Sequence, residues 1–167
     1  MRLDRLHIQN FRCYEDATFD FQPGFNLVVG VNGSGKTSLL QAVAASFIEY
    51  ANTIKLQSIG LALEDVRFVI NKFEGRSRFE RMFPLLLEAQ GEILGVKKWE
   101  TTQASEYFPP LVNDELGLVT DKELIKFDLG ERIELPALVF YRSNRQWISA
   151  NVSAEFAAQQ RISRLDG

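Results

Sequence analysis

The stretch "VVGVNGSGKTSLL", Val28 to Leu40, decides how this chain is read. Inside it, Gly30-Val31-Asn32-Gly33-Ser34-Gly35-Lys36-Thr37 matches G-x-x-x-x-G-K-[ST]. Glycines at these places let consecutive backbone N–H groups turn inward around a phosphate. The start of a following helix adds partial positive charge. Lys36 would then reach the β- and γ-phosphates, and the Thr37 hydroxyl would hold the Mg²⁺ that bridges them.

The flanks supply the context this loop needs. Upstream, Phe25 to Val29 (FNLVV) is a short apolar run, read as a buried strand. Downstream, Leu39, Leu40, Val43, Ala44 and Phe47 recur at helical spacing, so the loop opens a helix at Lys36. Before the run, Leu6, Ile8 and Phe11 begin a strand, Ala17 to Phe21 reads as its hairpin partner, and Gln22-Pro23-Gly24 is a turn. Further on, Val66 to Phe73 reads as a strand, and Phe83–Glu88 with Glu92–Trp99 as a hairpin turning at Gln90-Gly91. Thr101 to Asp114 reads as a loop. Thr120 is placed as the cap of a short helix over Asp121 to Phe127. Ala137 to Tyr141 (ALVFY) is expected to be a second buried strand. The fold class is α/β, a P-loop NTPase with an antiparallel section.

The chain has 167 residues, enough for one domain with a real core. No run approaches the length of a membrane span, and the N-terminus lacks the apolar core of a signal peptide. One cysteine, Cys13, excludes an internal disulfide and a cysteine-built zinc site. These features point to the cytoplasm. The net charge of −3 gives no overall attraction to nucleic acid or anionic membranes.

"LHIQNFRCYEDATFDFQPGFNLVVGVNGSGKTSLLQAV" resembles the start of SMC/RecF/ABC-type ATPase heads. The likeness is closest to the head of the SMC-like ATPase of double-strand-break repair, and extends to OLD-family and phage-defence ATPases. It is strong over about Met1 to Phe47. "LPALVFYRSNRQW" is more weakly similar to bacterial AAA-family proteins of the defence type, and the resemblance is not extended over about Ile54 to Leu135. The resemblance implies an ABC-type head that binds ATP and Mg²⁺. Arg12 of "NFR" would reach the phosphates and Asn32 would line the γ-phosphate side. Gly33, Ser34, Gly35, Lys36, Thr37 and Ser38 would wrap the α- and β-phosphates. Gln146 would touch Mg²⁺ and the attacking water, with Arg142 and Arg145 beside it. Lys36 and Gln146 are thus the catalytic candidates, and Thr37 and Gln146 the metal ligands. The implied partners are a second head, as a homodimer or head to head, and DNA through the parent protein.

Other features carry less. His7, on an alternating strand, reads as a surface residue, and Trp99 and Trp147 as core or interface aromatics. Tyr14 is placed near the base as a stacking ring. Arg76-Ser77-Arg78-Phe79-Glu80-Arg81 is basic, but its acidic neighbours favour a solvated turn. A GTPase is rejected. Asn71-Lys72-Phe73-Glu74 has Glu where N-K-x-D needs Asp, and Asp114-Glu115-Leu116-Gly117 follows that motif instead of preceding it. A Walker B strand, four apolar residues and then Asp-Glu, is missing: Leu61–Asp65 and Leu124–Asp128 both fail, and no serine-glycine signature occurs. The expectation is an incomplete ATPase domain over 1–167 in which 148–167 is a helix leading to a downstream part. A nucleotide-dependent interaction module is the alternative from another class, and a small-molecule P-loop kinase a further one.

Overall fold

The structure is a computed structural model and describes residues 1–56, 59–73, 76–112 and 114–141. Its centre is a five-stranded antiparallel sheet in the order β2-β1-β5-β6-β7. These strands are β1 (Arg2–Phe11), β2 (Tyr14–Asp20), β5 (Leu85–Ile93), β6 (Val96–Gln103) and β7 (Leu111–Val112). A separate two-stranded sheet pairs β3 (Phe68–Phe73) with β4 (Arg76–Arg81). Helices α1 (Lys36–Ser46), α2 (Ile48–Thr53) and α3 (Asp114–Asp128) complete the described elements.

Alternation in β1 sorts its two faces. Leu6 lies opposite Ala89, and Ile8 opposite Leu87, all fully buried. Arg5, one residue over, pairs with Asp20 at 2.6 Å on the open face. The buried face carries α1 and α2: Leu39, Ala42, Ala45, Phe47 and Tyr50 pack onto Leu87, Ala89 and Trp99. Trp99 meets Phe47 at 5.2 Å between ring centroids, so it is a core aromatic. His7 faces out toward Asp16 at 3.1 Å, as a surface residue should.

Several boundaries differ from the sequence reading. The second hairpin turns at Leu94-Gly95, not at Gln90-Gly91. Both turn residues have positive φ (50° and 86°), the left-handed pair a tight two-residue hairpin needs. Gln90-Gly91 runs inside β5, where Gly91 lies opposite Leu3. Part of the expected loop after Thr101 continues β6 and adds β7. Thr120 does not begin a helix. It sits inside the 15-residue α3, fully buried, its hydroxyl donating to the Leu116 carbonyl at 2.7 Å.

The larger correction concerns the two core strands. Phe25–Val29 and Ala137–Tyr141 form no helix or strand and join no sheet among the described residues. Val28, Leu138 and Phe140 are turned partly inward, whereas Phe25, Leu27, Val29, Val139 and Tyr141 are exposed. A buried strand needs ladder neighbours for its N–H and C=O groups. Hairpins supply these for β1, β2, β5 and β6, and nothing described supplies them here.

Candidate functional site

The glycine loop leads directly into α1. Gly24 (φ 88°) makes the expected turn, and Asn26 locks it by accepting from Gln22 N at 2.9 Å and donating to Gln22 O at 2.8 Å. From there the chain reaches Gly30 without forming a helix or strand. Gly33 and Gly35 both have positive φ (83° and 91°), and Gly35 is the N-cap of α1. A Cβ on Gly35 would lie 2.7 Å from the Tyr14 hydroxyl and 2.9 Å from Cys13 Sγ. Glycine is therefore required there twice, by backbone conformation and by space.

Lys36 folds back over the loop. Its Nζ donates to the carbonyls of Gly30 at 2.8 Å and Val31 at 2.7 Å. The ammonium is thus held against the carbonyls at the start of the loop. The start of α1 has no side-chain cap and no acid in its first turn. Its leading N–H groups and positive dipole end are open to an anion. Thr37 is exposed beside them, and Ser38 is half-buried. Asn32 and Ser34 are exposed on the loop. The loop glycines, Lys36, Thr37 and Ser38 are brought together as one anion-receptive cradle, and these residues fit a nucleotide phosphate with a bound cation.

Arg12 behaves differently from the rest. Its Nε donates to Asp65 Oδ1 at 2.7 Å, and its Nη2 lies 2.6 Å from the same oxygen. Its backbone N–H donates to the Asp65 carbonyl at 2.8 Å. Asp65 in turn accepts from Ala62 N at 2.9 Å. Arg12 is held in left-handed backbone (φ 51°) at the turn between β1 and β2. A cavity of about 220 Å³ opens beside the pair, lined also by Gln41, Ala44 and Gly60. The Gln41 side-chain oxygen is buried there without a hydrogen-bond partner.

Two residues matter more than the sequence reading gave them. Asp65 anchors Arg12, and the signal was an acid just before Val66 in a stretch otherwise read for hydrophobicity. Tyr14 is not a free stacking ring. Its hydroxyl donates to the Gly35 carbonyl at 3.1 Å, and its ring meets Phe19 edge-on at 5.3 Å. Burial pushes its phenol above the ordinary value, with Cys13 adding to the effect. Tyr14 therefore pins the loop-to-helix junction onto the sheet. Gln146, Arg142, Arg145, Trp147 and the proposed helix 148–167 lie outside the described residues. Of the segments weighed as motifs, Leu63–Asp65 forms a single 3-10 turn, Leu124–Asp128 lies in α3, and Asn71 and Lys72 lie in β3.

The AAA domain family matches residues 5–166, nearly the whole chain. The chain belongs to this AAA domain family. As an AAA domain it is also similar to the DNA replication and repair protein RecF of Salmonella arizonae, 37% identical over 95 residues. The same identity over the same length relates it to RecF of Shigella flexneri. The aligned part is 55% of this AAA domain but 26% of each RecF chain, so it spans about a quarter of the curated relatives it matches. The fold and the family agree on the N-terminal region of an SMC/RecF-type P-loop ATPase. No helix among the described residues is long and apolar enough to cross a membrane.

Proposed function

We propose that this AAA domain binds Mg-ATP through Gly30–Ser38 and is the nucleotide-binding lobe of an ATPase that works on DNA. The observation that carries this reading is Lys36 laid over the loop carbonyls of Gly30 and Val31 at the open start of α1. An ammonium held there exchanges carbonyl partners for phosphate oxygens without moving the backbone. Thr37 would hold the Mg²⁺, whose charge neutralises the phosphate oxygens. Asn32 would face the γ-phosphate, and Gln146 would orient a water. Arg12 would reach phosphate by giving up Asp65.

Hydrolysis needs more than this binding. Ground-state affinity does not accelerate chemistry. The water-polarising carboxylate and the charge that meets the γ-phosphate would come from a Walker B segment and a signature motif, neither found in these 167 residues, and from a second head. The DNA assignment rests on the RecF relatives, named for DNA replication and repair.

Titration calorimetry with Mg-ATP and Mg-ADP tests the binding. Lys36→Ala is expected to weaken affinity by about 10- to 100-fold, the value of a charge-assisted hydrogen bond or two. Equal affinities for both proteins would refute the site. Phosphate release by the same chain is expected to stay at the Lys36→Ala background, whereas Lys36-dependent turnover would reveal a catalytic acid within these residues.

A further inference from the structure

The β3–β4 hairpin stands apart from the main sheet, and every residue of β4 is exposed. Register assigns its faces. Phe68, Ile70, Lys72, Ser77, Phe79 and Arg81 share one side, with Phe68 and Phe79 6.4 Å apart. Val69, Asn71, Arg78 and Glu80 share the other, where Asn71 Nδ2 donates to Glu80 Oε2 at 3.1 Å. The outer edge of β4 presents backbone groups that pair with no strand among the described residues. Natural edges of this kind are normally blunted or covered.

We propose that β4 pairs edge to edge with β4 of a second copy, antiparallel about a two-fold axis through Phe79. Charge complementarity selects this register. With Phe79 opposite itself, Arg78 falls opposite Glu80 of the second copy, and the same ion pair repeats across the axis. Asn71 holds the Glu80 carboxylate on the face where Arg78 stands. Centring the pair on Arg78 sets Arg76 opposite Glu80 but presses two guanidiniums together on the axis, and centring it on Glu80 sets two carboxylates together. Centring between residues puts an apolar face against a polar one. The favoured register joins the Phe68, Ile70 and Phe79 side chains of both copies into one apolar face on a four-stranded sheet. The contact is self-complementary, so it closes at a dimer. It uses neither the loop nor Arg12, so it stands whether or not the proposed nucleotide binding holds.

Cysteine linking reads the register directly. In a Cys13→Ser background the full chain has no other thiol. Phe79→Cys would face its own copy about 4.5–5.5 Å away between Cα atoms, within disulfide reach. Ser77→Cys or Arg81→Cys would lie some 13 Å from its own copy, beyond reach. Under mild oxidation, Phe79→Cys is expected to link at least about tenfold faster than either neighbour, given those separations. Adding Arg78→Glu should abolish the advantage, and adding Glu80→Arg to that variant should restore it. All these positions are exposed, and restoration by the double reversal shows that each variant folds. Equal linking at the three positions, no linking, or no restoration would overturn the dimer. Protection of Phe79→Cys by a single-stranded oligonucleotide, with no restoration by the charge reversal, would assign the hairpin to nucleic acid instead.

Discussion

Leu87 and Leu27 are both leucines in short apolar runs, yet Leu87 is fully buried and Leu27 is 72% exposed. Leu87 sits in β5, flanked by β1 and β6. Leu27 sits in the segment leading to the glycine loop, with no strand on either side among the described residues. The same contrast separates Ile8 in β1 from Val139 in the segment after Pro136. The exposed segments, FNLVV and ALVFY, are richer in apolar residues than β1 or β5, yet only the paired strands have neighbours to close a ladder. The lesson is that a strand is buried by its partners: hairpin strands find theirs within a few residues, whereas these two segments have no partner nearby in sequence.

The strongest challenge to that contrast is a pair of truncations. Leu87→Ala should destabilise by about 2–5 kcal/mol, since it opens a cavity in a closed core. Leu27→Ala should change stability by less than about 0.5 kcal/mol. Urea unfolding at low protein concentration measures both. A comparable loss for Leu27→Ala would mean that its segment is packed in solution.

Arg12 lies where the two regions meet, and its expected effect is next in size. If it leaves Asp65 for phosphate, Arg12→Ala should weaken ATP binding by about 10-fold or more, and AMP binding much less. Calorimetry with both nucleotides decides this, with unfolding measured in parallel because the Asp65 pair is lost as well. An unchanged ATP-to-AMP preference would leave Arg12 as a clamp on the turn before β3.

Gly35→Ala sharpens the view of the loop junction. Positive φ and the crowding against Tyr14 and Cys13 should together cost about 1–3 kcal/mol. Gly60→Ala, with open space around it, should stay within about 0.5 kcal/mol. Thermal unfolding of the two variants tests the difference, and similar losses would remove the junction's special role.

The smallest effect belongs to the outer face of the well-paired sheet. A hydrogen bond from Lys98, 2.9 Å away, is the main cause that holds the Glu88 carboxyl below the usual range, against the opposing effect of burial. A depressed carboxylate contributes stability above its unfolded pKa and loses it as pH falls through the folded value. The pair is partly solvated, so the contribution is well under about 1 kcal/mol. The stability gap between the wild type and Glu88→Gln should be present at about pH 7 and close toward about pH 3. A gap that persists in acid would mean that the side chain acts through packing.

Much of the site could be read from residues in order. G-x-x-x-x-G-K-[ST] placed the turn, the helix start and Lys36 together, because all three depend on neighbours within eight positions. The β1–β2 hairpin was legible for the same reason, since Leu6, Ile8 and Phe11 alternate and a turn follows. The Arg12–Asp65 pair was not, because its partners are 53 residues apart and nothing local links the one to the other. The turn at Leu94-Gly95 was missed because Gln90-Gly91 carries an equal local signal, and only pairing of Gly91 with Leu3 excludes it.

Local chemistry by itself therefore determined the phosphate loop, the helix it opens, the β1–β2 hairpin and the inward face of β1. Glycine's freedom at positive φ and the two-residue period of a strand act over a few residues and need no knowledge of the fold. Tertiary structure alone decided which apolar runs are buried, that Tyr14 pins Gly35, that Asp65 holds Arg12, and that β3 and β4 stand clear of the main sheet. Those outcomes depend on which backbone ladders close between distant segments, and hydrogen-bond partners of that kind leave no trace in local order.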